Sequence, residues 1–178
     1  MSAPGPEGPA ERPNRWPWPP LIFGGAFLVG IGLKGLVPLG WPVPAAAGQS
    51  AGWVLLFAGL ALDIWAMASL HRARTTILPH RPAGRLVTDG PFAFTRNPIY
   101  LGNTLALLGL GLMLENPWLL AAAVIAAIAT DHLAARREEA HLAARFGAEF
   151  AAYAQQVPRW VGRARPLTPP PADGPDCS

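Results

Sequence analysis

The residue types in this chain that could do chemistry gather in two polar clusters at the ends of a hydrophobic hairpin. The first is Gly90-Pro91-Phe92-Ala93-Phe94-Thr95-Arg96-Asn97-Pro98-Ile99-Tyr100; the second is Arg136-Arg137-Glu138-Glu139. Between them lie two apolar segments, Leu101–Leu114 and Trp118–Ala129, joined by Glu115-Asn116-Pro117. A chain that crosses a membrane and returns puts both ends on one face, so an arginine, a tyrosine and two carboxylates meet at one membrane surface. Charged groups near lipid are costly and point to function. Pro98 suits the first turn of a helix, where its missing N–H costs nothing. Arg96 and Asn97 then stand where free backbone N–H groups and the helix dipole favour an anion. Arginine suits a carboxylate or phosphate, and a part-buried carboxylate suits an ammonium group or a ribose diol. Glu138 and Glu139, as helix neighbours, point about 100° apart, so one can face a pocket while the other meets an arginine or water. A ligand with both signs of charge and a hydroxylated ring matches this set. A solvated helix end flanked by positive-inside anchors also matches it, and the residues alone leave both readings open.

The elements that must position these clusters are read from hydropathy. Half of the 178 residues are apolar (51%) and only 14% are charged, which is low for a soluble domain. Leu21–Val37 carries one charge, Lys34; Ala51–Leu70 carries one, Asp63; Leu101–Leu114 and Trp118–Thr130 carry none. Each run approaches the roughly 17–25 residues of a membrane helix. The expected fold is all-α: a polytopic membrane bundle of about four transmembrane helices with a cytoplasmic helical cap. Residues 1–20, rich in Pro and Gly, form a flexible lead-in without the marks of a signal peptide. Residues 21–160 form one membrane domain, and 161–178 a disordered Pro-rich tail. Helix two is expected over about Gly52–Arg74, with Pro42 and Pro44 in the turn before it. Asp63 on that helix reads first as a polar bridge to another helix, at Asn103 or Thr104, with a functional role, exposure or protonation as the alternatives. Helix four is expected to continue past the membrane over Asp131–Phe146, with Gly147 as its stop. A short amphipathic helix follows, with Phe150, Tyr153 and Val157 on a side that could lie in the membrane interface.

Charge placement sets the expected topology. Arg12 and Arg15 precede helix one; Arg72, Arg74, Arg81, Arg85 and Arg96 fill the second connection. Arg136, Arg137, Arg145, Arg159, Arg163 and Arg165 follow helix four. The other two connections, Leu39–Ser50 and Glu115–Pro117, lack basic residues. The positive-inside rule puts both termini and the 71–96 loop in the cytoplasm. These arginines flank spans rather than form a stripe, which speaks against nucleic-acid binding. The single cysteine, Cys177, allows neither an intramolecular disulfide nor a cysteine zinc site, and no metal site is expected.

S-adenosylmethionine, with an ammonium, a carboxylate, a sulfonium and a ribose, is one ligand that would match the paired clusters, and the chain has no Gly-rich dinucleotide fingerprint. The stretch Leu86-Val87-Thr88-Asp89-Gly90-Pro91-Phe92-Ala93-Phe94-Thr95-Arg96-Asn97-Pro98-Ile99-Tyr100-Leu101-Gly102 resembles the signature of the isoprenylcysteine carboxyl methyltransferase and phospholipid methyltransferase superfamily. So does Glu138-Glu139-x-x-Leu142-x-x-x-Phe146-Gly147-x-x-Phe150-x-x-Tyr153-x-x-x-Val157-Pro158-Arg159. The resemblance covers about Thr75–Trp160, roughly half of the chain. It implies an integral membrane enzyme that binds S-adenosylmethionine at its cytoplasmic end. The family's cofactor-contacting positions fall on Arg85, Leu86, Val87, Phe92, Asn97, Pro98, Ile99, Tyr100 and Glu138. Arg96, Tyr100 and Glu139 are the implied catalytic residues. The implied substrate is a lipophilic small molecule or lipid arriving sideways from the bilayer, and methyl transfer is a direct displacement at the sulfonium carbon, aided by alignment and exclusion of water.

Two positions depart from that pattern. Many relatives carry His where this chain has Asn97, which hydrogen-bonds but cannot act as an imidazole base. The eukaryotic isoprenylcysteine enzymes place a substrate-carboxylate arginine four residues before the first Glu of the pair; that position is Ala134 here, where Arg136 or Arg137 could substitute, with Arg96 nearby. Carboxyl O-methylation, phospholipid N-methylation and thiol S-methylation are therefore all open at this stage. A non-catalytic membrane scaffold or lipid-binding protein is the alternative of another class.

Overall fold

The computed structural model describes residues 18–73 and 85–162. The lead-in before Trp18, the stretch holding Arg74, Pro79, Arg81, Pro82 and Gly84, and the Pro-rich tail with Arg163, Arg165 and Cys177 lie outside the described residues.

Six α-helices make up the described fold, with no strand among the described residues. They are α1 (Trp18–Leu36), α2 (Ala45–Arg72), α3 (Pro98–Met113), α4 (Pro117–Thr130), α5 (Arg136–Phe146) and α6 (Ala148–Gln156). A 3-10 turn, Gly90–Ala93, precedes α3, and a π-type turn, Asp131–Ala135, joins α4 to α5. Prolines mark the starts. Pro19 and Pro20 fall in the first turn of α1, Pro44 caps α2, and Pro98 and Pro117 are the first residues of α3 and α4. At such positions the fixed φ fits and no hydrogen bond is lost. α2 begins about two turns before the expected Gly52, because Ala45-Ala46-Ala47 after Pro44 are strong helix formers.

Three helices are long and apolar enough to cross a membrane: Pro19–Leu36, Ala45–Arg72 and the continuous stretch Pro117–Phe146. α3 is shorter, at 16 residues. At a rise of 1.5 Å per residue it spans about 24 Å, against the ~30 Å of a bilayer's hydrocarbon core. The outer faces of the long helices are apolar and exposed, with Leu28 and Val29 on α1, Val54, Phe57 and Ile64 on α2, and Val124, Ile125 and Ile128 on α4. This is the pattern of helices solvated by lipid.

α3 packs along α2 on one side and α4 on the other, and α4 packs on α1. Small residues set the α2–α3 approach. A Cβ on Gly59 would come within 2.5 Å of the Gly102 carbonyl, and one on Gly109 within 2.6 Å of the Gly52 carbonyl. Such close backbone contact is how membrane helices gain packing energy without a hydrophobic driving force. It also corrects the reading of Asp63, whose carboxylate lies against Gly102. Asn103 Nδ2 and Thr104 Oγ1 donate instead to carbonyls of their own helix, those of Ile99 and Tyr100. The register imposed by the glycines sets the carboxylate against Gly102, with Oδ1 buried and without a hydrogen-bond partner.

The far end of the bundle is tied by Asn116. Its Oδ1 accepts from the Leu119 N–H and caps α4, while its Nδ2 donates 2.9 Å to the Gly30 carbonyl of α1. Lys34 donates to the Leu114 carbonyl and Trp118 Nε1 to that of Val37. At the opposite end, α6 does not lie free on a surface. Phe150 and Tyr153, with Val157 just after the helix, pack against Leu86, Leu142 and Phe146, so the apolar side expected at the interface is spent inside the cap. Gly147, at φ +50°, makes the sharp break between α5 and α6.

Candidate functional site

Three pieces of chain converge at the cap end: the loop 85–97, the first turn of α3, and α5–α6 with the segment Val157–Trp160. The π-type turn aims them. There the Arg136 N–H reaches back to the Asp131 carbonyl five residues earlier, which inserts one residue into the helix and turns α5 relative to α4. Five of the nine residues from Asp131 to Glu139 are charged, whereas Pro117–Thr130 has none. The membrane-crossing part of this long helix therefore ends near Thr130, and α5 projects beyond it.

Glu138 faces α3. The Tyr100 hydroxyl donates to Glu138 Oε1 at 2.7 Å, and the tyrosine ring packs on Ala134 and Ala135, both fully buried. Ala side chains are what let the first turn of α3 come this close. Burial pushes the Glu138 carboxyl up to about 7, and the negative charge of Glu139 adds to this, against the pull of the Tyr100 hydrogen bond. Oε2 of Glu138 has no partner among the described residues.

Glu139, one residue on, faces away from that spot into an ion cluster. Arg96 Nε stands 3.2 Å from Glu139 Oε1, and Arg159 grips the same carboxylate with bonds of 2.8 and 2.7 Å. Arg159 Nη1 also reaches Asp131 at 3.3 Å, and Asp131 accepts from Trp160 Nε1 and Arg136 Nε at 2.9 Å each. Burial works against the Asp131 charge, but these donors hold its carboxyl below the usual range. The loop 94–97 is sewn to the same segment. The Arg96 N–H donates to the Pro158 carbonyl, Arg96 Nη1 to Ala154, and Thr95 Oγ1 and Asn97 Nδ2 both to the Arg159 carbonyl. The Tyr153 hydroxyl donates 2.7 Å to the Phe92 carbonyl, and burial raises that phenol.

The expected site residues thus divide into two groups. Tyr100 and Glu138 form a pair with one carboxylate oxygen open. Arg96, Asn97 and Glu139 bind one another's elements and hold the cap to α3. Leu86 and Val87 are buried, Leu86 within the α5–α6 cluster; Phe92 is half-buried and Arg85 exposed. Pro98 and Ile99 lie in the first turn of α3, with Ile99 packed beside Tyr100. Three polar partners fall outside the expected site residues: Arg159, Asp131 and Trp160. Arg159 closes the second sequence motif, which is the signal that could have found it. The position of Ala134 is sealed beneath Tyr100.

An all-helical membrane bundle with a polar pair where a hairpin's two ends meet defines a polytopic membrane protein with a cap-borne site. The chain belongs to the phospholipid methyltransferase family, whose sequence model matches residues 48–149. That match takes in α2, α3, α4, α5 and the Tyr100–Glu138 pair. The chain is also similar to the nickel-cobalt-cadmium resistance protein NccN of Alcaligenes xylosoxydans xylosoxydans, at 39% identity over 83 residues. It is 37% identical over 83 residues to the cobalt-zinc-cadmium resistance protein CzcN of Cupriavidus metallidurans. Each match takes in 47% of this chain and 38% of the relative, so the aligned part spans well under half the length of either relative. No solved structure matches the chain.

Proposed function

We propose that the protein transfers a methyl group from S-adenosylmethionine to a lipophilic small molecule or lipid at the cytoplasmic face of a membrane. The observation that carries this reading is the Tyr100–Glu138 pair, inside the span matched by the methyltransferase family. Glu138 Oε2 would take the cofactor's ammonium or ribose hydroxyls, with Leu86, Val87, Phe92 and Ile99 as apolar walls, the buried Asn97 and Pro98 behind them and the exposed Arg85 at the rim. When bound, the cofactor supplies an electrophilic methyl group on a sulfonium. The protein's part is to align the acceptor with it and to exclude water. Tyr100 orients the carboxylate, and the Arg96–Glu139 pair holds the loop that ends at Asn97, and leads into the first turn of α3, against α5–α6.

Ala134 bears on the acceptor. With no arginine at that position, and with Arg96 and Arg159 both engaged by Glu139, a carboxylate acceptor would have to rely on the exposed Arg85 or Arg137. An amine or a thiol needs no such cation, so phospholipid N-methylation and thiol S-methylation fit better than carboxyl O-methylation. The two relatives are named for metal resistance, but they share only a part of their length with this chain. Methyl transfer is carried over from the family instead.

The test is calorimetry on the full-length protein in detergent. S-adenosylmethionine should bind, and Glu138→Ala should weaken binding by at least about tenfold, as expected for losing a charge-assisted contact. No binding to the wild-type protein would leave the non-catalytic scaffold or lipid-binding reading in its place. Labelled methyl transfer into lipid extracts then identifies the acceptor. Reporters fused after residue 45 should read as outside and those after residue 85 as inside.

A further inference from the structure

His141 lies on α5, three residues beyond Glu138, and both of its ring nitrogens are buried without a hydrogen-bond partner. The i, i+3 spacing sets the ring on the stripe of α5 that presents Glu138 to Tyr100. The neighbouring stripe, Glu139, Leu142 and Phe146, turns instead to Arg96 and to the cluster of Leu86, Phe150 and Tyr153. An imidazole brings one N–H donor and one acceptor when neutral, and two donors when protonated. Burying both nitrogens unmatched is costly, and such a group in a native structure calls for a partner, whether an ordered water, an ion or a ligand.

Two of the cations that could otherwise receive an anion here are occupied. Arg96 is held by Glu139 and the Ala154 carbonyl, and Arg159 by Glu139 and Asp131. Glu138, by contrast, keeps Oε2 open. An α-amino acid carries its ammonium and its carboxylate on the same carbon. Its receptor must therefore present an acceptor and a donor close together, and residues one helical turn apart, with Cβ atoms about 5–6 Å from each other, do so.

We propose that His141 holds the carboxylate of the cofactor's amino-acid end, while Glu138 takes its ammonium. This rests on the cofactor assignment above. Arg137, exposed one turn before His141 on α5, is the competing receptor for the same carboxylate.

Binding of S-adenosylmethionine and of its decarboxylated analogue, which keeps the ammonium, sulfonium and adenosine, separates the two. Calorimetry on the full-length protein in detergent should show His141→Ala weakening S-adenosylmethionine about tenfold or more. The decarboxylated analogue should change by less than about twofold, since it lacks the group that this charge-assisted contact serves. His141→Gln, which keeps an N–H donor, should recover part of the lost affinity, and thermal melts report whether each variant is folded. Equal losses for both ligands, or unchanged S-adenosylmethionine binding in His141→Ala and His141→Gln, would overturn the proposal. A selective loss in Arg137→Ala instead of the His141 variants would overturn it too. A wild-type protein that binds neither ligand overturns the cofactor assignment itself, and the role of His141 falls with it.

Discussion

The Tyr100 hydroxyl donates to Glu138 Oε1 across 2.7 Å and joins the first turn of α3 to α5, thirty-eight positions later in the chain. This bond fixes where the free carboxylate oxygen points. Tyr100→Phe removes the donor and leaves the ring packed on Ala134 and Ala135. The expected cost in stability is about 1 kcal/mol, that of one net hydrogen bond, read from a thermal or denaturant transition in detergent. Cofactor affinity should fall more than stability does, since the carboxylate is no longer oriented. If Tyr100→Phe lowered stability and left affinity at the wild-type value, the bond would be structural only.

The ionisation of Glu138 gives a second expectation. Its carboxyl is pushed up to about 7, so it is largely protonated at pH 6 and largely ionised at pH 8. An ammonium is held by the ionised form. Affinity for S-adenosylmethionine should therefore rise about tenfold from pH 6 to pH 8 and flatten above that, following the ionised fraction. The sign for stability is the opposite. A carboxyl raised in the folded state favours folding most below its unfolded value, and that contribution is lost as pH rises toward 7. Calorimetry across this range on the wild type and Glu138→Gln checks the assignment, because the variant should lose the rise in affinity.

Much of this arrangement is legible in the sequence, and the parts that are not have physical reasons. The apolar runs declare the helices because lipid-facing surface must be apolar throughout. The meeting of Tyr100 with Glu138 follows from the hairpin between them. The π-type turn at Asp131–Ala135 is invisible, since one inserted residue leaves no mark in hydropathy. The recruitment of Arg159 by Glu139 is long-range, and an arginine after a helix reads first as a membrane anchor. The place of Asp63 is hidden for a related reason. Its partner was sought among polar side chains, whereas the α2–α3 register is set by Gly52, Gly59, Gly102 and Gly109, residues whose importance lies in having no side chain.

That register yields a third expectation. Gly59→Leu forces a side chain into the Gly102 carbonyl and the backbone of Ala106, neither of which can yield without separating α2 from α3. Overpacking of this kind costs about 1–3 kcal/mol and more where backbone is struck. Gly32→Leu on α1 is the control, because nothing lies within 4 Å of a Cβ there. Melting temperatures in one detergent should separate the two variants clearly, and equal values would contradict the close α2–α3 approach.

The ion cluster supplies the last expectation. Arg159 is the hub: it binds Glu139 through two nitrogens and Asp131 through Nη1. Hydrogen bonds from Arg159 to Glu139, with the charges of both carboxylates, keep its guanidinium protonated. Arg159→Ala leaves Glu139 with Arg96 alone and Asp131 with Arg136 and Trp160. The cluster is only partly buried, so the expected loss of stability is about 1–3 kcal/mol, below that of breaking a fully buried pair. Arg159→Lys keeps the charge but not the two-pronged grip, and should recover less than half of that loss. The Arg159 carbonyl, which receives Thr95 and Asn97, belongs to the backbone and survives both changes. Affinity for the cofactor should therefore fall less than in Glu138→Ala, while hydrogen exchange in the 94–97 loop and in α6 should quicken. An Arg159→Ala protein with unchanged exchange in both segments would show that the cap is held by its apolar cluster alone.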